Sequence, residues 1–150
     1  MTKIVSLVLF FFLTSFAFAQ TCPTIKEIKT ASLSGFKVYD TDKKTPLTAE
    51  QFAMFKNHVE KFLVAEWIHK NNSAIHCYYG DRSGSLLEAY LVKDNLTPKN
   101  SNHYWYQVTG SSQCAAGVEG CQFASQPIFA NSKPHSFTVA ANQRPKRNKL

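Results

Sequence analysis

Apolar and polar positions are ordered most clearly in the middle of the chain. Ala74-Ile75-His76-Cys77-Tyr78-Tyr79-Gly80 and Ser85–Lys93 read as two strands joined by the turn-rich run Asp81-Arg82-Ser83-Gly84. In the second strand Leu87, Ala89 and Leu91 face one way, and Leu86, Glu88, Tyr90 and Val92 the other. With apolar residues on both faces, that strand is expected inside a sheet and not at its edge.

Before the hairpin the period changes. Thr48 and Gln51 form a capping box, and Phe52, Phe55, Val59 and Phe62 follow at helical spacing. This predicts a helix from Ala49 to about Val64, with Lys56 and Glu60 paired one turn apart. Leu63, Ala65 and Trp67 then alternate with Val64, Glu66 and Ile68, so the end of the segment also fits a strand. Short strands are expected at Thr24–Ile28 and Phe36–Tyr39, with turns at Ser32-Leu33-Ser34-Gly35 and Asp40–Lys44. Asp94–Asn102, which holds Pro98, reads as a loop, His103–Thr109 as an aromatic strand, and Gln122-Phe123 as a last short strand. The expected fold class is α+β: one main helix packed on a mostly antiparallel sheet.

The first residues change the picture of where this domain works. Lys3, the apolar run Ile4–Phe18 and Ala17-Phe18-Ala19 have the order of a secretory signal peptide, which assigns 1–19 to a leader and predicts a mature chain from Gln20. The run is about 15 residues, short of the roughly 20 that a spanning helix needs. No later run is apolar enough to span, so no transmembrane segment is expected after cleavage. Residues 20–130 are then a single domain and 131–150 a C-terminal tail.

Four cysteines, Cys22, Cys77, Cys114 and Cys121, lie in the exported part. In an oxidising compartment an even set reads as disulfides, and the expectation is two. Three pairings are open. Cys114 and Cys121 enclose Ala-Ala-Gly-Val-Glu-Gly, whose glycines make local closure easy, and this favours Cys114–Cys121 with Cys22–Cys77. No C-x-x-C occurs and the histidines lack paired ligand spacing, so no metal or other cofactor is expected.

The formal charge of +7 is unevenly placed. Lys133, Arg144, Lys146, Arg147 and Lys149 all follow Glu119, the last acid, so the body is near neutral. The basic tail, Arg144, Lys146, Arg147 and Lys149, reads as a solvated, disordered terminus and not as a nucleic-acid site. Cys77 beside His76 is better explained by a disulfide than by a thiol nucleophile. G-x-S-x-G and H-E-x-x-H are absent, and the chain is expected not to be an enzyme. The aromatic residues remain. Tyr78, Tyr90, Tyr104, Trp105 and Tyr106, with Tyr79, fall on strands expected to be neighbours. One side of such a sheet would present a tyrosine-rich, protein-binding face.

Cys22-Pro23, Cys77-Tyr78-Tyr79, Trp105, Cys114 and Cys121-Gln122-Phe123 occur in an order that resembles small exported bacterial proteins of uncharacterised function. Among these, the chain is similar to the EirA-type periplasmic proteins associated with Dot/Icm (type IVB) secretion systems. The resemblance implies a periplasmic accessory protein that supports a secretion machine, with no catalytic residues to carry over. The expected function is therefore a non-enzymatic periplasmic or secreted protein-binding domain with a partner in the cell envelope, self-association included. The alternative is a small exported inhibitor or ligand-binding module acting on a host or cell-wall enzyme.

Overall fold

The computed structural model describes residues 19–69, 73–99 and 102–126. The expectations for the leader, except at Ala19, and for the basic tail fall on residues outside these ranges.

The first described element corrects an expectation. Thr24–Ile28 does not form a strand: Ile25–Lys29 is a short helix, α1. Thr24 and Glu27 make a reciprocal capping box, the Thr24 Oγ1 accepting from the Glu27 amide and the Glu27 carboxylate from the Thr24 amide. Ile28 is buried by the turn. Strand β1 (Lys37–Asp40) follows, and then helix α2 (Ala49–His58), capped by Thr48 and Gln51 as expected.

Helix α2 is shorter than its apolar stripe. Val59 closes it in an extended conformation, and Lys61–Ile68 is strand β2. Phe62, the last member of the stripe, therefore lies in β2, where its ring packs 5.8 Å from that of Tyr79. Glu60 does not pair with Lys56. It accepts a 3.0 Å salt bridge from Lys29 instead, tying α1 to the exit of α2. Alternation in β2 prevails over the helical stripe because β2 is bonded on both sides, to β3 (Ala74–Gly80) and to β7 (Ser111–Cys114).

The hairpin of β3 and β4 (Leu86–Lys93) is present as expected, with β4 between β1 and β3. Gly80 ends β3 where a Cβ would stand 3.0 Å from the Ser85 carbonyl oxygen, so the turn closes on bare backbone. The Asp94–Asn102 loop contains a strand, β5 (Leu96–Pro98), that pairs with β8 (Phe123–Ser125) and buries Leu96. The aromatic segment is shorter than expected. Only Tyr106–Val108 is strand (β6), and it turns at Gly110, in the left-handed region, into β7. Between β7 and β8 a single-turn helix, α3 (Gly117–Gly120), fills the loop closed by Cys114 and Cys121.

Six strands thus form one antiparallel sheet in the order β1-β4-β3-β2-β7-β6, with β5-β8 as a separate pair. The domain is mostly sheet, and its helices are short, so the single main helix of the sequence reading is reduced to one of several. Both disulfides are present, Cys22–Cys77 and Cys114–Cys121. By chain entropy the first, across 55 residues, stabilises by about 4 kcal/mol. The core lies on one side of the sheet: Ile75, Cys77, Tyr79, Ala65, Ala89 and Leu91 from the strands meet Cys22, Ile28, Phe36, Phe55 and Val59. Among the described residues no helix is long and apolar enough to cross a membrane.

Candidate functional site

Residues directly opposite one another in a sheet share a face. The register places Tyr39 opposite Tyr90 and Tyr90 opposite Tyr78. His76, two residues before Tyr78, is opposite Glu66; Glu66 is opposite Gln113, and Gln113 opposite Tyr106. The core residues Cys77, Leu91 and Ala65 occupy the intervening positions. The face turned away from α1 and α2 therefore carries a row of aromatic and polar side chains across all six strands.

At the β1–β4–β3 end the rings form a continuous array. Tyr39 and Tyr90 have centroids 6.0 Å apart, Tyr90 and Tyr78 stack at 5.6 Å, and His76 lies 4.8 Å from Tyr90. The Lys44 ammonium sits 5.4 Å above the Tyr90 ring. These neighbours leave Tyr90 buried even though it faces away from the core.

Glu66 is the polar centre of the face. Its carboxylate accepts from the Ser111 hydroxyl at 2.8 Å, the Tyr78 hydroxyl at 3.2 Å and the Gln113 amide at 3.4 Å. One side chain on β2 thereby joins β3 to β7. Burial, with Glu66 beside it, pushes the Tyr78 phenol far above its ordinary range. Burial and Tyr39 also raise Tyr90. His76 is lowered, chiefly by burial, while the charge of Glu66 acts the other way. At neutral pH Tyr78 and Tyr90 therefore stay protonated. The Tyr78 hydroxyl is donated to Glu66, and Tyr90 is buried among its neighbours.

The structure brings together only part of the expected tyrosine face. Tyr78 and Tyr90 touch, and Tyr106 shares their face but is separated from them by β2 and β7. Tyr104 and Trp105 precede β6 and lie outside any strand. Tyr104 is 50% exposed, whereas Trp105 packs against the core and donates Nε1–H to the Gln122 carbonyl. Tyr79 points into the core. His76 and His103 do not meet, because β3 and β6 are not neighbours and His103 lies in a turn. Tyr39, His76 and Glu66 belong to the face and were not assigned to it from sequence. Tyr39 was readable from the alternation of β1, but Glu66 was hidden in the segment shared between helix and strand readings. Among the described residues no group of three His, Cys, Asp or Glu side chains is placed to hold a metal ion.

Fold and face together define an antiparallel sheet domain with two disulfides, helices on one layer and an aromatic, polar-centred surface on the other. No family model, curated protein or solved structure matches the chain.

Proposed function

We propose that this protein is a non-enzymatic binding domain of the bacterial cell envelope, whose aromatic sheet face takes a protein partner. The observation that carries this reading is the unbroken array Tyr39–Tyr90–Tyr78–His76 on the side of the sheet opposite the core. Aromatic side chains supply large contact area at small entropic cost, and tyrosine hydroxyls tolerate the wet rim of an interface. Two disulfides support an oxidising compartment, the periplasm or the exterior. The resemblance to EirA-type proteins supports an accessory role beside a type IVB secretion apparatus.

The test is affinity capture from periplasmic extract, with the full chain and its Tyr39→Ala and Tyr106→Ala variants as bait. Envelope assembly components captured by the unaltered chain and lost with Tyr39→Ala support the reading. Capture of one soluble enzyme selects the inhibitor function instead. Equal capture by all three baits removes the sheet face from the function.

A further inference from the structure

A second surface lies on the other layer, and it is independent of the tyrosine-face reading. Between α2 and the start of β4 a groove of about 370 Å³ is lined by Leu47, Met54, Phe55, Leu86, Leu87 and Ala89. Met54 is 52% exposed and Leu86 58%, which makes them the two most exposed large apolar side chains among the described residues. Asp40 and Glu88 are among the lining residues, and no Lys or Arg is. Asp40 is held ionised, below the usual carboxylate range, first by the Lys43 backbone amide. The nearby Lys44 ammonium is directed over Tyr90, on the opposite face. An apolar floor with an acidic rim asks for an occupant with apolar side chains between cations.

We propose that the occupant is the C-terminal segment of this same chain, with Phe137 and Val139 in the groove and the flanking cations Lys133 and Arg144 toward Glu88 and Asp40. Charge and pattern are complementary: no acid follows Glu119, and Phe137-Thr138-Val139 places two apolar side chains on one side of an extended segment. Length permits it. The described chain stops at Gln126, whose amide donates to the Asn95 carbonyl and whose side chain reaches Ser73. The 11 residues from Gln126 to Phe137 extend to about 36 Å, against about 27 Å for the longest strands of the sheet. Tethering gives the segment an effective concentration of order millimolar, so modest contacts hold it in preference to a free peptide.

Methionine labelling tests this directly, because Met54 is the only methionine besides Met1. In the full chain carrying 13C-methyl methionine, the Met54 methyl is expected to show NOE cross-peaks to the Phe137 ring. Those cross-peaks should vanish, and the methyl signal shift, in Phe137→Ser and in the charge-reversed Glu88→Lys, with the amide signals of β6 and β7 unmoved. A methyl signal indifferent to Phe137→Ser overturns the proposal. A methyl signal that moves with protein concentration also overturns it, and assigns the groove to a second copy.

Discussion

Tyr79 donates its buried hydroxyl to the Pro23 carbonyl oxygen, 2.6 Å away and 56 positions earlier in the chain. Pro23 follows Cys22, which is bonded to Cys77, two residues before Tyr79. The start of the domain is thus fastened to the middle of β3 by a covalent bond and by a hydrogen bond beside it. Tyr79→Phe keeps the ring packing on Phe55 and Phe62 and leaves only the Pro23 carbonyl without its donor. Urea unfolding at neutral pH with the disulfides intact should show a loss of about 1–2 kcal/mol. A loss near zero would mean that the disulfide alone holds the segment.

Alkali should loosen the fold through the same residue. Burial raises the Tyr79 phenol far above its ordinary value of 10.0, and burial with Glu66 raises Tyr78. In the unfolded chain both ionise near pH 10; in the fold they keep their protons. The stability they contribute is therefore complete below pH 10 and declines as pH rises beyond it. Urea midpoints between pH 9 and 11 should fall steeply for the natural chain and less steeply for Tyr78→Phe/Tyr79→Phe. Parallel profiles would refute the assignment.

The difference between what sequence revealed and what it hid follows from how many partners each segment needs. The β3–β4 hairpin was readable because Leu87, Ala89 and Leu91 alternate and the turn is local. Helix α2 was readable at its start, where Thr48 and Gln51 make a local cap, but not at its end. There Phe52, Phe55, Val59 and Phe62 keep helical spacing past the point where Val59 turns extended, and only pairing with β3 and β7 decides. Strand β7 was missed because Ser111-Ser112-Gln113-Cys114 carries no apolar alternation; it is a strand because β2 and β6 flank it. Thr24-x-x-Glu27 was the cue for α1, and the adjacent Ile25 and Ile28 obscured it. At the site, Tyr78 and Tyr90 were legible as strand residues, while the role of Glu66 needed the register that sets Ser111, Gln113 and Tyr78 around it.

Glu66 should behave as a structural strap across three strands. Glu66→Ala removes the acceptor for the buried Ser111 hydroxyl and for Tyr78, and an abandoned buried donor costs about 1–3 kcal/mol. Adding Ser111→Ala should recover part of that loss, since the orphaned donor is then gone. A double-mutant cycle by urea unfolding measures the coupling, expected at about 0.5–3 kcal/mol. Strict additivity would show that the Glu66–Ser111 bond contributes nothing of its own.

His76 should make the fold sensitive to mild acid. Its ring lies beside the stacked Tyr78 and Tyr90, 4.8 Å from the latter, and its Nδ1 is 3.5 Å from the Tyr78 hydroxyl. Burial lowers its affinity for a proton and Lys44 lowers it further, while Glu66 and Asp94 oppose them. The folded value lies below the ordinary 6.5, so the unfolded chain takes the proton first as pH falls. The stability that His76 contributes as neutral imidazole is present above pH 6.5 and is lost as pH drops toward the lower, folded value. Between pH 7.5 and 5.5 the urea midpoint should therefore decrease for the natural chain and change less for His76→Phe, which retains a ring beside Tyr90 but has nothing to titrate. The window stays above the carboxylate range, so most of the difference between the two profiles belongs to this histidine.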